Sequence, residues 1–126
     1  MTHKFELYKC KVCENIAEVV HEGVGSLVCC AETMKLLESH LPNNEDAHYA
    51  HLENIDSITK KITFNHPMSN EHYIDFIEVI SNNGKYLKRK FLKESETPEL
   101  IFKCDCKEGF YVRLYCNIHG VQKTVV

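Results

Sequence analysis

Phe110-Tyr111-Val112-Arg113-Leu114-Tyr115-Cys116-Asn117-Ile118-His119 combines a strand signature with a ligand signature. Phe110, Val112, Leu114 and Cys116 alternate with Tyr111, Arg113 and Tyr115, a period of two that suits a strand and that a helix would not need. The strand runs directly into Cys116-Asn117-Ile118-His119, which sets two ligand types across one tight turn. This differs from a haem-attachment signature, which needs a second cysteine before the histidine.

The same alternation recurs upstream. Ile58, Lys60, Ile62 and Phe64 share the spacing, and Leu87, Arg89 and Phe91 repeat it after the turn signal Asn82-Asn83-Gly84. Further β-like runs are Tyr73 to Ile80, Leu100 to Cys104 and Val121 to Val126. Many short strands with frequent turns favour an antiparallel β-sandwich, so the chain is expected to be mostly β. A short helix is expected over Glu32 to Leu41.

The length of 126 residues suits one domain, or a small one followed by a medium one. A formal charge of -3 gives no basic stripe of the kind nucleic-acid binding requires. No apolar run approaches membrane-spanning length, and the opening residues lack the apolar core of a signal peptide. The expectation is a cytoplasmic protein with neither nucleic-acid nor membrane partners.

Seven cysteines and eight histidines point to metal. An odd cysteine count without marks of secretion argues against a disulfide framework. Cys10, Cys13, Cys29 and Cys30 fall in the first thirty residues, and no cysteine follows until Cys104, Cys106 and Cys116. The polar stretch Leu41 to His48 reads as a linker, which gives domains over 1–40 and 41–126. A unit of about 40 residues is at the limit of what an apolar core alone can hold, and four thiolates on one ion supply the missing staple.

Cys10-Lys11-Val12-Cys13 lets two thiolates grip one ion from a tight turn. In the adjacent pair Cys29-Cys30, neighbouring side chains on an extended strand would point to opposite faces, so the backbone must kink there. Four thiolates in a tetrahedron suit iron or zinc alike. Downstream stand His48, His51, His66, His72 and His119, with Cys116 close to the last. His66 precedes a proline and is biased away from helix, and its spacing to His72 is not that of a helical pair, so these imidazoles come from loops. Cys104 and Cys106 would share one strand face and read as two ordinary thiols, with a thiol pair or another metal contact as alternatives.

Taken together, the pattern resembles desulfoferrodoxin along nearly the whole chain. Tyr8-Lys9-Cys10-Lys11-Val12-Cys13, Leu27-Val28-Cys29-Cys30 and Met34-Lys35 are similar to its desulforedoxin-like N-terminal part. His66-Pro67-Met68, Glu71-His72-Tyr73 and Tyr115-Cys116-Asn117-Ile118-His119-Gly120 match its catalytic part. Asp46-Ala47-His48-Tyr49-Ala50 partly matches the segment of its remaining histidine, which assigns His48 rather than the competing His51.

The resemblance implies a desulforedoxin-like domain followed by an immunoglobulin-like sandwich, holding two iron ions per chain. One sits on Cys10, Cys13, Cys29 and Cys30, where zinc is the alternative. The other sits on His48, His66, His72 and His119 with Cys116 as axial thiolate. The implied activity is superoxide reductase: one-electron reduction of superoxide to hydrogen peroxide, with re-reduction by a rubredoxin-like or other donor, in a homodimer. Asp46 stands where the family has a glutamate that can bind the ferric ion, and is one methylene shorter. Ala47 stands where the family has a lysine that draws in the superoxide anion. Rival readings are a rubredoxin-like electron carrier, a zinc-stabilised binding module without redox activity, and superoxide dismutation.

Overall fold

A computed structural model describes residues 1–105 and 107–126. The described residues form strands and loops with no helix, in two compact units, Met1–Glu38 and Ser39–Val126.

In the first unit, β1 (Leu7–Lys9) pairs antiparallel with β2 (Ile16–Glu18) on one side and β5 (Lys35–Leu36) on the other. The β1–β2 connection is the Cys10–Cys13 loop, turned back by Glu14 at φ 67°. A separate ribbon joins β3 (Val28–Cys29) to β4 (Glu32–Thr33). Its two loop residues, Cys30 and Ala31, both have positive φ (52° and 61°), the backbone of a tight two-residue hairpin turn. Here is the kink that a vicinal cysteine pair requires: Cys29 stays on the strand and Cys30 takes a left-handed turn position.

The helix expected over Glu32 to Leu41 does not form. That run contains β4 and β5, with Met34 buried between them. The Leu37 N–H donates to Leu7 O at 2.8 Å, and His40 donates to Val121 O at 2.9 Å. Partners outside the segment thus take the backbone groups that a helix would have paired within itself.

The second unit is an antiparallel sandwich. Its first sheet has the order β10 (Glu99–Lys103), β7 (Thr59–Thr63), β6 (His51–Asn54). The second runs β12 (Gly120–Val125), β11 (Phe110–Cys116), β8 (Ile74–Ser81), β9 (Leu87–Phe91). Three strands facing four is the division of an immunoglobulin-type sandwich. Ile62, Leu100 and Phe102 from the first sheet meet Ile77, Val79, Val112 and Leu114 from the second in one buried core. Along β11 the side facing the sandwich core carries Phe110, Val112, Leu114 and Cys116, the alternation visible in the sequence, while Arg113 and Tyr115 are buried on the other side. Lys88 and Lys90 of β9 reach the carbonyls of Ile101 and Glu99, tying the edge strands of the two sheets together.

Two features aim the end of β11. The β11–β8 register shifts between Tyr115 and Cys116, so that Tyr115 faces Phe76 while Cys116 faces Ile74. The extra residue, Asp75, is on β8, so the bulge bends β8 and changes which residue stands opposite Cys116. The hairpin to β12 then closes on Gly120 at φ 75°, a conformation that suits glycine.

Cys104 is buried in the sandwich core and is disulfide-bonded, not the ordinary thiol expected. Cys106 lies outside the described residues.

Candidate metal centres

The first cluster gathers Cys10, Cys13, Cys29 and Cys30, whose sulfurs all lie within 4.8 Å of one another. Cys13 Sγ is 3.5 Å from Cys29 Sγ, which is 3.9 Å from Cys30 Sγ. Sulfurs about 2.3 Å from a shared tetrahedral ion lie about 3.8 Å apart, so the set fits a four-thiolate ion. Cys10 is 1% exposed, whereas Cys13 and Cys30 open to solvent. The Val12 and Cys13 N–H groups donate to Cys10 Sγ at 3.4 and 3.5 Å. These donors, that of Cys13 first, bring the Cys10 pKa down to about 6. Cys30 is pushed up to about 12, chiefly by the neighbouring thiol of Cys13. Four sulfurs at this distance repel as anions, and a cation among them removes the conflict.

The second cluster sits at the end of the sandwich where β6 and β8 begin and β7 and β11 finish. His48 precedes β6, His66 follows β7, His72 precedes β8, and Cys116 and His119 flank the β11–β12 turn. The ligating atoms of His48, His66, His72 and Cys116 lie within 4.8 Å of one another. His119 completes a closed circuit of rings. Centroid distances are 4.8 Å for His48–His66, 4.6 Å for His66–His72, 5.1 Å for His72–His119 and 4.9 Å for His119–His48. Nitrogens about 2.1 Å from one ion put ring centroids about 3.2 Å from it, and neighbours on a square about 4.5 Å apart. The four edge lengths are therefore close to those of a square of rings about one point. Cys116 Sγ, within 4.8 Å of the first three and 3.6 Å from His119 Nδ1, lies beside that point on a fully buried side.

Hydrogen bonding fixes which nitrogens face inward. His66 Nδ1 donates to Pro67 O at 2.6 Å, and His48 Nδ1 donates to Asp46 Oδ1 at 2.7 Å. This leaves Nε2 of His48 and of His66, together with Nε2 of His72, buried and without a hydrogen-bond partner among the described residues. Three converging orphan lone pairs are costly unless a cation accepts them. Burial lowers the pKa of His66 to about 4 and also lowers that of His72, so both rings are neutral ligands at pH 7. The His119 N–H donates to Cys116 Sγ at 3.4 Å, which orients the sulfur.

Asp46 Oδ1 accepts both the His48 backbone N–H, at 2.8 Å, and the ring Nδ1–H. The backbone donor is the larger cause holding its carboxyl below the usual range. The ring of His51 lies against Tyr49, with centroids 5.5 Å apart. The carbonyl of Pro67 was not legible as a partner of His66, because backbone acceptors carry no sequence signal; the proline itself marked only a loop.

Two family models match the chain. The desulfoferrodoxin N-terminal domain covers residues 2–37, and desulfoferrodoxin covers residues 32–125. The desulfoferrodoxin of Nitratidesulfovibrio vulgaris is 37% identical, with 95% of each chain covered. That of Syntrophotalea carbinolica is 40% identical, with 96% of each covered. The desulforedoxin of Megalodesulfovibrio gigas is 44% identical across 27% of this chain and 92% of its own. Among solved structures, the superoxide reductase from Treponema pallidum superposes with a TM-score of 0.73 at 22% identity, covering 94% of this chain and 96% of that one. Matched over nearly its full length by family models and relatives alike, the chain belongs to the desulfoferrodoxin family.

Proposed function

We propose that this chain is a superoxide reductase, with its reaction at the centre built from His48, His66, His72, His119 and Cys116. The observation that carries the reading is the near-square of four imidazoles with a buried cysteine sulfur beside it. Zinc sites of three or four ligands do not call for four imidazoles in a square. Imidazoles with a thiolate suit iron.

Ferrous iron held by these five side chains would supply the single electron that superoxide needs, with two protons from solvent completing hydrogen peroxide. The protein supplies position and charge. Pro67 O and Asp46 turn two rings so that Nε2 points inward, and burial keeps His66 and His72 unprotonated. The His119 N–H holds the Cys116 sulfur in place, and a sulfur ligand there would push electron density toward the metal. Cys116 is fully buried, so superoxide would have to approach the centre from a side away from this sulfur. Ala47 offers no cation or proton beside His48, which leaves proton delivery to water.

The unit over Met1–Glu38 is the four-thiolate domain, loaded with iron or, alternatively, zinc. Thiolate sites of this kind persist in a reducing compartment, which fits a cytoplasmic protein; no helix is long and apolar enough to cross a membrane among the described residues. An external donor of the rubredoxin type would return one electron to this centre after each turnover, and the chain would work as a homodimer, which sedimentation at micromolar concentration tests.

The first experiment is anaerobic purification, iron and zinc quantification, and visible spectroscopy during superoxide addition. Two irons per chain, and a thiolate-to-ferric band that grows as peroxide appears and is absent in Cys116→Ala, support the reading. Zinc in both sites with no spectral response would leave a zinc-stabilised binding module. Iron in the four-cysteine site alone would leave an electron carrier.

A further inference from the structure

The segment carrying His72 belongs to no strand, yet backbone groups on both sides of the histidine are hydrogen-bonded. The His72 N–H donates to Ser69 Oγ at 3.1 Å, and His72 O accepts from the Ser69 N–H at 3.0 Å. The flanking groups go to one residue, Asn117, which directly follows the neighbouring strand β11. Asn117 Nδ2 donates to Glu71 O at 2.9 Å, Asn117 Oδ1 accepts the Tyr73 N–H at 2.9 Å, and the Asn117 N–H donates to Tyr73 O at 3.2 Å. Asn117 directly follows Cys116, where the β11–β8 register has shifted by one residue.

We propose that Asn117 is a positioning residue that sets His72 against Cys116 by clamping both peptide groups that flank the histidine. The proposal rests on the reading of the four imidazoles and Cys116 as one metal centre. A carboxamide is the side chain suited to the task, because it offers a donor and an acceptor at one reach. Aspartate keeps the acceptor but sets a carboxylate against the Glu71 carbonyl; serine and alanine reach neither partner. Ligand rings must be held within about half an ångström of the productive geometry, and outer partners that do this change metal affinity about 10- to 100-fold.

The test is a double-mutant cycle on the full, reduced, metal-free chain, with Co(II) as the probe. The readout is the dissociation constant from the thiolate-to-cobalt absorption that Cys116→Ala abolishes, measured against a competing chelator. Asn117→Ala is expected to weaken Co(II) binding about tenfold or more in the parent chain, and about twofold or less once His72→Ala has removed the ring it positions. Asn117→Ser serves in the same cycle should the alanine variant fold poorly. Unchanged affinity in the parent chain, or an equal loss in both backgrounds, overturns the proposal. Should His72→Ala itself leave Co(II) affinity unchanged, it is the metal-centre reading that fails.

Discussion

Glu78→Gln should destabilise the sandwich by about 3 kcal/mol. Glu78 is 0% exposed at the middle of β8, facing Arg113 of β11 and Arg89 of β9 in register, so three charges form one row across the sheet. Its carboxylate accepts from Arg113 Nε at 2.5 Å and from Arg89 Nε and Nη2 at 2.9 and 2.6 Å. Removing one partner of a buried ion pair costs about 3–5 kcal/mol, mostly because the surviving charge is stranded. The Arg89 side chain is 29% exposed and can turn to water, whereas that of Arg113 is 7% exposed and cannot. The loss therefore comes mainly from Arg113 and falls at the low end of that range. Urea unfolding followed by far-UV circular dichroism measures it, since the chain has no tryptophan. Both proteins need saturating metal, because metal binding itself adds to stability. Glu78→Leu combined with Arg113→Met and Arg89→Leu should recover most of the loss, as apolar replacement of a whole buried triad is often neutral. A Glu78→Gln protein within 1 kcal/mol of the parent, or a triple variant less stable than the single one, would refute the stranded-charge argument.

Asp46→Ala should weaken metal binding at the histidine centre about 10- to 100-fold, and Asp46→Asn, which keeps an acceptor for His48, should restore much of it; competitive Co(II) titration decides, and equal affinity for all three would show that Asp46 does not orient the ring. Cys10→Ser should leave Met1–Glu38 without its staple, which contributes on the order of 10 kcal/mol by analogy with structural zinc, and limited proteolysis should then degrade that unit while Ser39–Val126 survives. Asp56 Oδ1 accepts the Ile58 and Thr59 N–H groups, that of Ile58 first among the causes holding its carboxyl below the usual range. A depressed carboxyl stabilises above its unfolded pKa of about 3.9 and loses that contribution as pH falls through the lower folded value. Unfolding midpoints of Asp56→Asn should accordingly depend less on pH below about 4 than those of the parent. Ala47→Lys should raise the rate with superoxide, up to about tenfold at low salt, with a steeper salt dependence in pulse radiolysis; an unchanged rate would rule out steering at this position.

Much of the β framework was legible because its signals are local. The alternation through Phe110, Val112, Leu114 and Cys116 marks the core-facing side of β11 whatever it packs against. The error over Glu32 to Leu41 has the opposite origin: Lys35 and Leu36 are strand residues because β1 lacks a partner on that side, and a window of sequence does not contain β1. β6 was hidden likewise, since His51–Asn54 is largely exposed and carries no alternation.

The sequence by itself determined that the protein binds metal, through Cys10-Lys11-Val12-Cys13, Cys29-Cys30 and Cys116-Asn117-Ile118-His119, because ligand type and turn spacing are chemical facts about neighbours in the chain. Only the tertiary structure decided that His48, His66, His72 and His119 close into a near-square, which nitrogen of each of His48 and His66 faces inward, and that Asp46 is bonded to His48. The same holds for Asn117, whose partners Glu71 and Tyr73 are 46 and 44 residues away along the chain. These are orientations set by hydrogen bonds between distant loops, and a loop's sequence does not record what the rest of the fold brings against it.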